Sequence, residues 1–260
     1  MYGNIINQDV YLEAKSYPFF RPNHPFLFID GKVRPLMKVT PKILNAHLTD
    51  LGCDPFYKLT PVLAFGANAS PLRLEKKFLN FSASVVIPVI PAKLKHFDVV
   101  FGCHFSNYGS IPATLQSSPN TKVNIAVNYL NDRLLQRMTE TEINGGNYVF
   151  GELLDVNLWI EGLGFYRNIF GYWSRLGCLS INSNVVALKP IKAVNRNFVE
   201  MNEKEVLHKV KELCCFQGSI VQFISKIISE PDYRADINKV LERFLIPTEF
   251  SELESKYRIY

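Results

Sequence analysis

The segment that opens at Asn131 carries two glutamates, Glu140 and Glu142, and helical spacing separates their roles. Asn131-Asp132 reads as a helix start, and Leu134, Leu135 and Met138 recur along one stripe of the helix predicted over 132–142. Glu142 falls four residues after Met138 and seven after Leu135, so it continues the apolar stripe. Glu140 instead shares the opposite, solvated side with Arg133 and Arg137. A carboxylate on an apolar face is costly unless it is paired, hydrogen-bonded or protonated, and desolvation raises its pKa. Such a group suits general acid–base catalysis, which contributes roughly 10² to 10⁴ in rate. The competing reading is a last-turn glutamate that curls out to water or accepts a structural hydrogen bond.

A second candidate lies upstream. Residues 61–65 form a short apolar run ended by Gly66, Ala67, Asn68 and Ala69. Ser70 and Pro71 then suit the N-cap and first position of a helix, on which Leu74 and Phe78 share a face. A strand, a small-residue loop and a helix start in that order present backbone N–H groups and the positive end of a helix dipole, which suits an anion. Other pairs are poorer. Cys103 and His104 are adjacent, but neighbouring strand residues point to opposite faces, so they make a weak nucleophile–base pair. Ser110, after Tyr108-Gly109, reads as a turn residue. The chain contains no GxSxG elbow, Walker loop or HExxH helix.

The surrounding elements alternate in type. Phe26 to Ile29, Asp30-Gly31 and Lys32-Val33 read as a hairpin, since Asp-Gly supplies the positive φ that a type I′ turn requires. Separate strands are predicted over 85–90, 97–101 and 111–115. A half-buried strand follows, in which Val123, Ile125 and Val127 alternate with Asn124, Ala126 and Asn128. Residues 148–154 are strand again. From Asn202, whose capping box pairs it with Glu205, three apolar stripes predict a helical tail that packs on the body. Residues 1–60 read as an arm packed on the core, 61–200 as the main domain and 201–260 as a helical extension.

Bulk properties narrow the function. The 260 residues are 47% hydrophobic, enough for a full core, and the net charge is +5. The lysines and arginines are scattered. The densest stretch, Arg73 to Lys77, is interrupted by Glu75 and reads as a solvated helix face, so no nucleic-acid partner is expected. Five cysteines without CxxC spacing argue against both a disulfide framework and a zinc site, so no metal is expected. The polar start has no signal-peptide pattern, and no apolar run reaches the roughly 18 residues of a membrane helix. A cytoplasmic protein without a membrane partner is the expectation.

The order of these features resembles the γ-glutamylcyclotransferase-like superfamily, which includes the ChaC-type and avirulence-induced-gene-type proteins. That family opens with a strand ending in a Y-G-S-N-L/M loop, and here Phe65-Gly66-Ala67-Asn68-Ala69 stands in its place. Ile111-Pro112-Ala113-Thr114-Leu115, Ser118-Pro119-Asn120 and the strand from Val123 follow in the family's order. The family's helix ends L-D-x-x-E-G, with a tyrosine six positions beyond the glutamate; Met138, Glu142 and Tyr148 take those places. The resemblance covers about 61–155 and implies a mixed α/β (α+β) fold with a small, strongly curved or barrel-like sheet and flanking helices. It implies a small-molecule γ-glutamyl substrate, with residues 65–69 and Tyr148 binding it. Glu142 would handle the protons of the α-amine that attacks the γ-carbonyl, closing 5-oxoproline and expelling an amine without a cofactor. Holding both reacting groups in one molecule supplies much of such a catalysis. The chain departs from the pattern at Phe65 and Ala67, which remove two hydroxyls, at Ala126 in the strand, and at Ile143, which follows the glutamate where the family has glycine. The alternatives are a binding module for a carboxylate-bearing metabolite, and a protein-interaction role for arm and tail with a vestigial pocket.

Overall fold

Two long strands, Val86–Phe101 and Ala113–Leu130, pair antiparallel and form the spine of the molecule. The sequence reading divided each of them in two. In the stretch left between the two parts of the first, Lys93 and Lys95 are exposed and alternate with buried Ala92 and Leu94, so the period of two runs on. The register shifts once, between Lys95 and Phe97, where His96 takes a positive φ of 67° and its Nδ1 accepts from the Asn120 N–H at 3.2 Å. A bulge of this kind bends and twists its strand.

In this computed structural model the described residues are 8–248, 250 and 256–260. All fifteen described strands join one strongly curled, half-barrel sheet, and seven helices accompany it, giving a mixed α/β fold. The main path runs Leu245–Ile246, Cys178–Ile181, Asn184–Leu188, Val86–Phe101, Ala113–Leu130, Thr60–Ala64, Ile169–Ser174, Tyr148–Leu154, Lys256–Ile259. Most pairings are antiparallel; Thr60–Ala64 meets Ile169–Ser174 in parallel. The Asp-Gly hairpin forms as read, with φ of 43° at Asp30 and 85° at Gly31. Its first strand, Phe26–Ile29, pairs with Val86–Phe101, so this part of the N-terminal segment is a strand of the sheet itself.

Two apolar clusters fix the helices. Leu74 and Phe78 of helix Pro71–Phe78 pack with Leu134 and Met138 of helix Asp132–Ile143 against Phe26, Phe28, Val62 and Val89. The larger cluster takes the tail helices Glu203–Leu213, Ile220–Ser229 and Pro231–Leu241 through Val206, Phe223, Ile224 and Leu241. The capping box of Asn202 and Glu205 is formed, and the Asn131 side chain accepts from the Leu134 N–H at 3.0 Å. Ser70 occupies the expected N-cap position, but its side chain makes no cap bond and its hydroxyl is buried without a partner among the described residues. No described helix is long and apolar enough to cross a membrane, and no described cluster of His, Cys, Asp or Glu could hold a metal ion.

Candidate functional site

Helices Pro71–Phe78 and Asp132–Ile143 each end beside one cleft of about 980 Å³. Glu142 lies in the last turn of the second helix and is half-buried, with the Lys77 ammonium of the first donating to its Oε1. A second contact joins the helix ends, from Arg137 Nε to the Lys77 carbonyl at 3.2 Å. The sequence reading left Glu142 as an apolar-face carboxylate in search of a partner, and Lys77 is that partner. Glu140 is exposed, takes a hydrogen bond from Gln136 at 3.0 Å and stays outside the lining of the cleft.

The strand Thr60–Ala64 delivers the small-residue loop to the same cleft. Phe65, Gly66, Ala67 and Asn68 line it, whereas Ala69 turns into the core, a correction to the expected binding set. Several groups immobilise the loop. The buried Asn128 side-chain amide donates to the Asn68 carbonyl at 2.9 Å, and Arg21 donates to the Phe65 carbonyl at 3.2 Å. Burial pulls the Arg21 guanidinium down to about 10, with the Tyr17 phenol opposing that fall. A Cβ at residue 66 would lie 2.5 Å from the Tyr17 hydroxyl, so any side chain there would displace that phenol. A phenol from the N-terminal segment thus stands against a loop whose own residues 65 and 67 carry no hydroxyl.

Tyr148, also in the lining, begins strand Tyr148–Leu154 and donates to the Ala113 carbonyl at 2.7 Å. Burial first, then the charges of Tyr17 and Glu142, raise its phenol well above its ordinary value, so it acts as a donor at neutral pH. His104 packs edge-on against Tyr148 with ring centroids 5.5 Å apart, and burial lowers its imidazole to about 4. Its neighbour Cys103 points away and donates to the Leu241 carbonyl at 3.1 Å, while burial raises its thiol to about 12. The two therefore form no nucleophile–base pair, and Ser110 sits beyond a turn made by Gly109 at φ 82°.

Sequence reasoning missed the far wall. Helix Pro231–Leu241 brings Arg234, Asn238 and Lys239 into the lining and is pinned to the connection between the two long strands by Asn238 Oδ1, which accepts from the Phe105 N–H at 2.8 Å. The tail thus builds one side of the cleft besides packing on the core. The 73–77 stretch also differs from the solvated face expected of it, because Arg73, Lys76 and Lys77 all line the cleft. Together with Arg137, Arg234 and Lys239 they make six cationic side chains against Glu142 and Glu242. Glu13, outside this lining, neutralises Arg73 at 3.1 Å and Lys76 at 2.7 Å. Arg73 also lies over the rings of Tyr108 and Phe19, 4.1 and 4.9 Å from their centroids. The arrangement can take an anionic ligand and offer one carboxylate to exchange protons with it.

No family profile and no curated protein matches the chain. Similar solved structures include an uncharacterized protein of Homo sapiens, 18% identical over 74% of this chain and 91% of that one, with a TM-score of 0.37. A gamma-glutamyl cyclotransferase is 16% identical over 74% and 91%, with a TM-score of 0.36. A protein of Arabidopsis thaliana solved in solution is 19% identical over 62% and 89%, with a TM-score of 0.34.

Proposed function

We propose that the cleft cyclises a γ-glutamyl amine to 5-oxoproline and releases the amine. One observation carries this reading: Glu142 and the loop residues Gly66, Ala67 and Asn68 line the same cleft, with Tyr148 in the same lining. A proton-accepting carboxylate and a rigid row of small residues are what an intramolecular acyl transfer needs. The α-nitrogen attacks the γ-carbonyl, the ring C–N bond forms and the bond to the leaving nitrogen breaks. An α-ammonium gives up two protons to become the ring amide, and the leaving nitrogen takes up two to depart as an ammonium. Glu142 relays protons from the first nitrogen to the second, so no external acid or base is consumed. The loop and the cations near it hold the α-carboxylate, and the folded-back substrate supplies a large effective molarity. The γ-glutamyl cyclotransferase name carried by one similar structure is consistent with this chemistry.

A panel of γ-glutamyl dipeptides, glutathione and γ-glutamylamines, assayed for 5-oxoproline, tests the reaction. Glu142→Gln should lower turnover by about 10² or more, and Glu140→Gln should leave it within about twofold. Equal losses in the two variants, or no 5-oxoproline from any member of the panel, count against the reading.

One observation favours a second reading, a binding module for a carboxylate-bearing metabolite. Glu142 is already engaged by Lys77, and the cationic excess of the lining suits capture of an anion without turnover. Such a module would show ligand-dependent thermal stabilisation that grows with ligand concentration, and no product.

A further inference from the structure

The Lys77–Glu142 pair joins two charged groups that both line the cleft and are only 11% and 21% exposed. A partly buried pair of this kind does little for stability, since the desolvation of two charges offsets their attraction. Its orientation is nevertheless held on both sides. Lys77 ends a helix that starts from the small-residue loop, and Arg137 clamps the Lys77 carbonyl to the helix that carries Glu142. The ammonium is thus turned onto the carboxylate within the lining that the loop shares, with no other carboxylate bonded to it among the described residues. Burial lowers the Lys77 pKa, and the charge of Glu142 opposes that fall. Removing Glu142 from Lys77 without supplying another anion would be costly, and the reverse holds for Glu142.

An ammonium and a carboxylate borne on one carbon match this pair, because each half satisfies one member. We propose that Lys77 is a specificity-determining residue that exchanges Glu142 for the α-carboxylate of the ligand, while the ligand's α-ammonium takes the place of Lys77 on Glu142. The inference rests on reading the cleft as a γ-glutamyl site. One ion pair becomes two, no charge is left unpaired, and the α-nitrogen is delivered to the carboxylate that must take its proton. The exchange also gives the α-carboxylate a charged anchor beside a loop in which Phe65 and Ala67 bring no hydroxyl.

Calorimetric titration with L-glutamine and 4-aminobutanamide, the same amide without its α-carboxylate, tests the exchange. The native protein should bind L-glutamine at least about tenfold more tightly, and Lys77→Gln should shrink the preference to about twofold or less. Lys77→Arg should retain most of it. A reciprocal arm guards against a variant that does not fold. Glu142→Gln should keep the preference for the carboxylate but lose the preference for L-glutamine over glutaramate, which lacks the α-ammonium. An unchanged preference in Lys77→Gln, or no preference in the native protein, overturns the inference. A native preference that Lys77→Gln abolishes, accompanied by no 5-oxoproline from any substrate, would sink the proposed reaction and leave the exchange standing.

Discussion

Tyr17 and Tyr148 hold the same residue from opposite sides: the Ala113 N–H donates to the Tyr17 hydroxyl and the Ala113 carbonyl accepts from the Tyr148 hydroxyl, each at 2.7 Å. Both phenols line the cleft, and burial raises the pKa of both well above the ordinary value. They act as fixed neutral hydrogen-bonding groups that set where the strand Ala113–Leu130 begins.

Removing either hydroxyl leaves a buried backbone group short of its partner. Tyr17→Phe should cost about 1–3 kcal/mol, because an orphaned N–H has no second way to be satisfied. Tyr148→Phe should cost about 1 kcal/mol, since a carbonyl has two lone pairs and tolerates partial satisfaction better. Urea unfolding of the two variants and the double variant measures these costs. The double variant should depart from the sum, because both changes act through Ala113. Strict additivity would mean that the tyrosines act through separate contacts.

Asn128 makes the equivalent test of the loop. It is 1% exposed, and its amide holds the Asn68 carbonyl. Asn128→Leu should destabilise by about 1–2 kcal/mol and should weaken L-glutamine binding, because the loop loses its anchor. Asn124→Leu, at an exposed position of the same strand, should change neither. Matching effects at the two positions would show that any polar-to-apolar change in the strand suffices.

The contrast between Glu142 and Glu140 was legible because one helix contains all the information: spacing from Leu135 and Met138 decides which side each carboxylate takes. The Asp30-Gly31 hairpin and the strand-loop-helix order around Gly66 were legible for the same local reason. Lys77, Asn128 and Tyr17 were not. Lys77 meets Glu142 across 65 residues of sequence, Asn128 meets Asn68 across 60, and Tyr17 meets Ala113 across 96. Alternation placed Asn128 on the polar side of a half-buried strand, yet that side is covered, since its neighbours Ala126 and Leu130 join the apolar cluster of helices Pro71–Phe78 and Asp132–Ile143. The wall built by helix Pro231–Leu241 escaped notice because its apolar stripe, Ile237 and Leu241, is what simple packing requires. A stripe reports which face is buried and leaves open what the other face lines.

His104 gives the fold a dependence on acid. In the unfolded chain its imidazole titrates at its ordinary value of 6.5, whereas burial holds it near 4 in the folded protein. Below pH 6.5 the unfolded chain takes a proton that the native state refuses. Stability from this source is full above pH 6.5 and is lost as the pH falls toward 4, by roughly 3 kcal/mol over the whole interval. Denaturant melts of the native protein and of His104→Met at pH 7.5 and 4.5 isolate the contribution. The native protein should lose about 2–3 kcal/mol more than the variant between those values. Parallel losses would show that the imidazole charges in the folded state.

Glu203 should act with the opposite sign. It opens helix Glu203–Leu213, is 1% exposed, and accepts from the Ile111 N–H through Oε1 at 2.7 Å, while Oε2 has no partner among the described residues. Burial raises its pKa well above 4.5, and the Ile111 bond opposes that rise without cancelling it. A folded-state pKa above the unfolded one means that the native state holds a proton the unfolded chain gives up. The contribution is therefore full below pH 4.5 and is lost as the pH rises through the folded value. Glu203→Gln keeps an oxygen for the Ile111 N–H and removes the titration. Any fixed cost of its buried amide is independent of pH, so the slope is what reports on the carboxyl. The stability of the variant relative to the native protein should rise between pH 4 and pH 8. A flat difference would mean that the Glu203 carboxylate is charged in the fold and finds its compensation elsewhere.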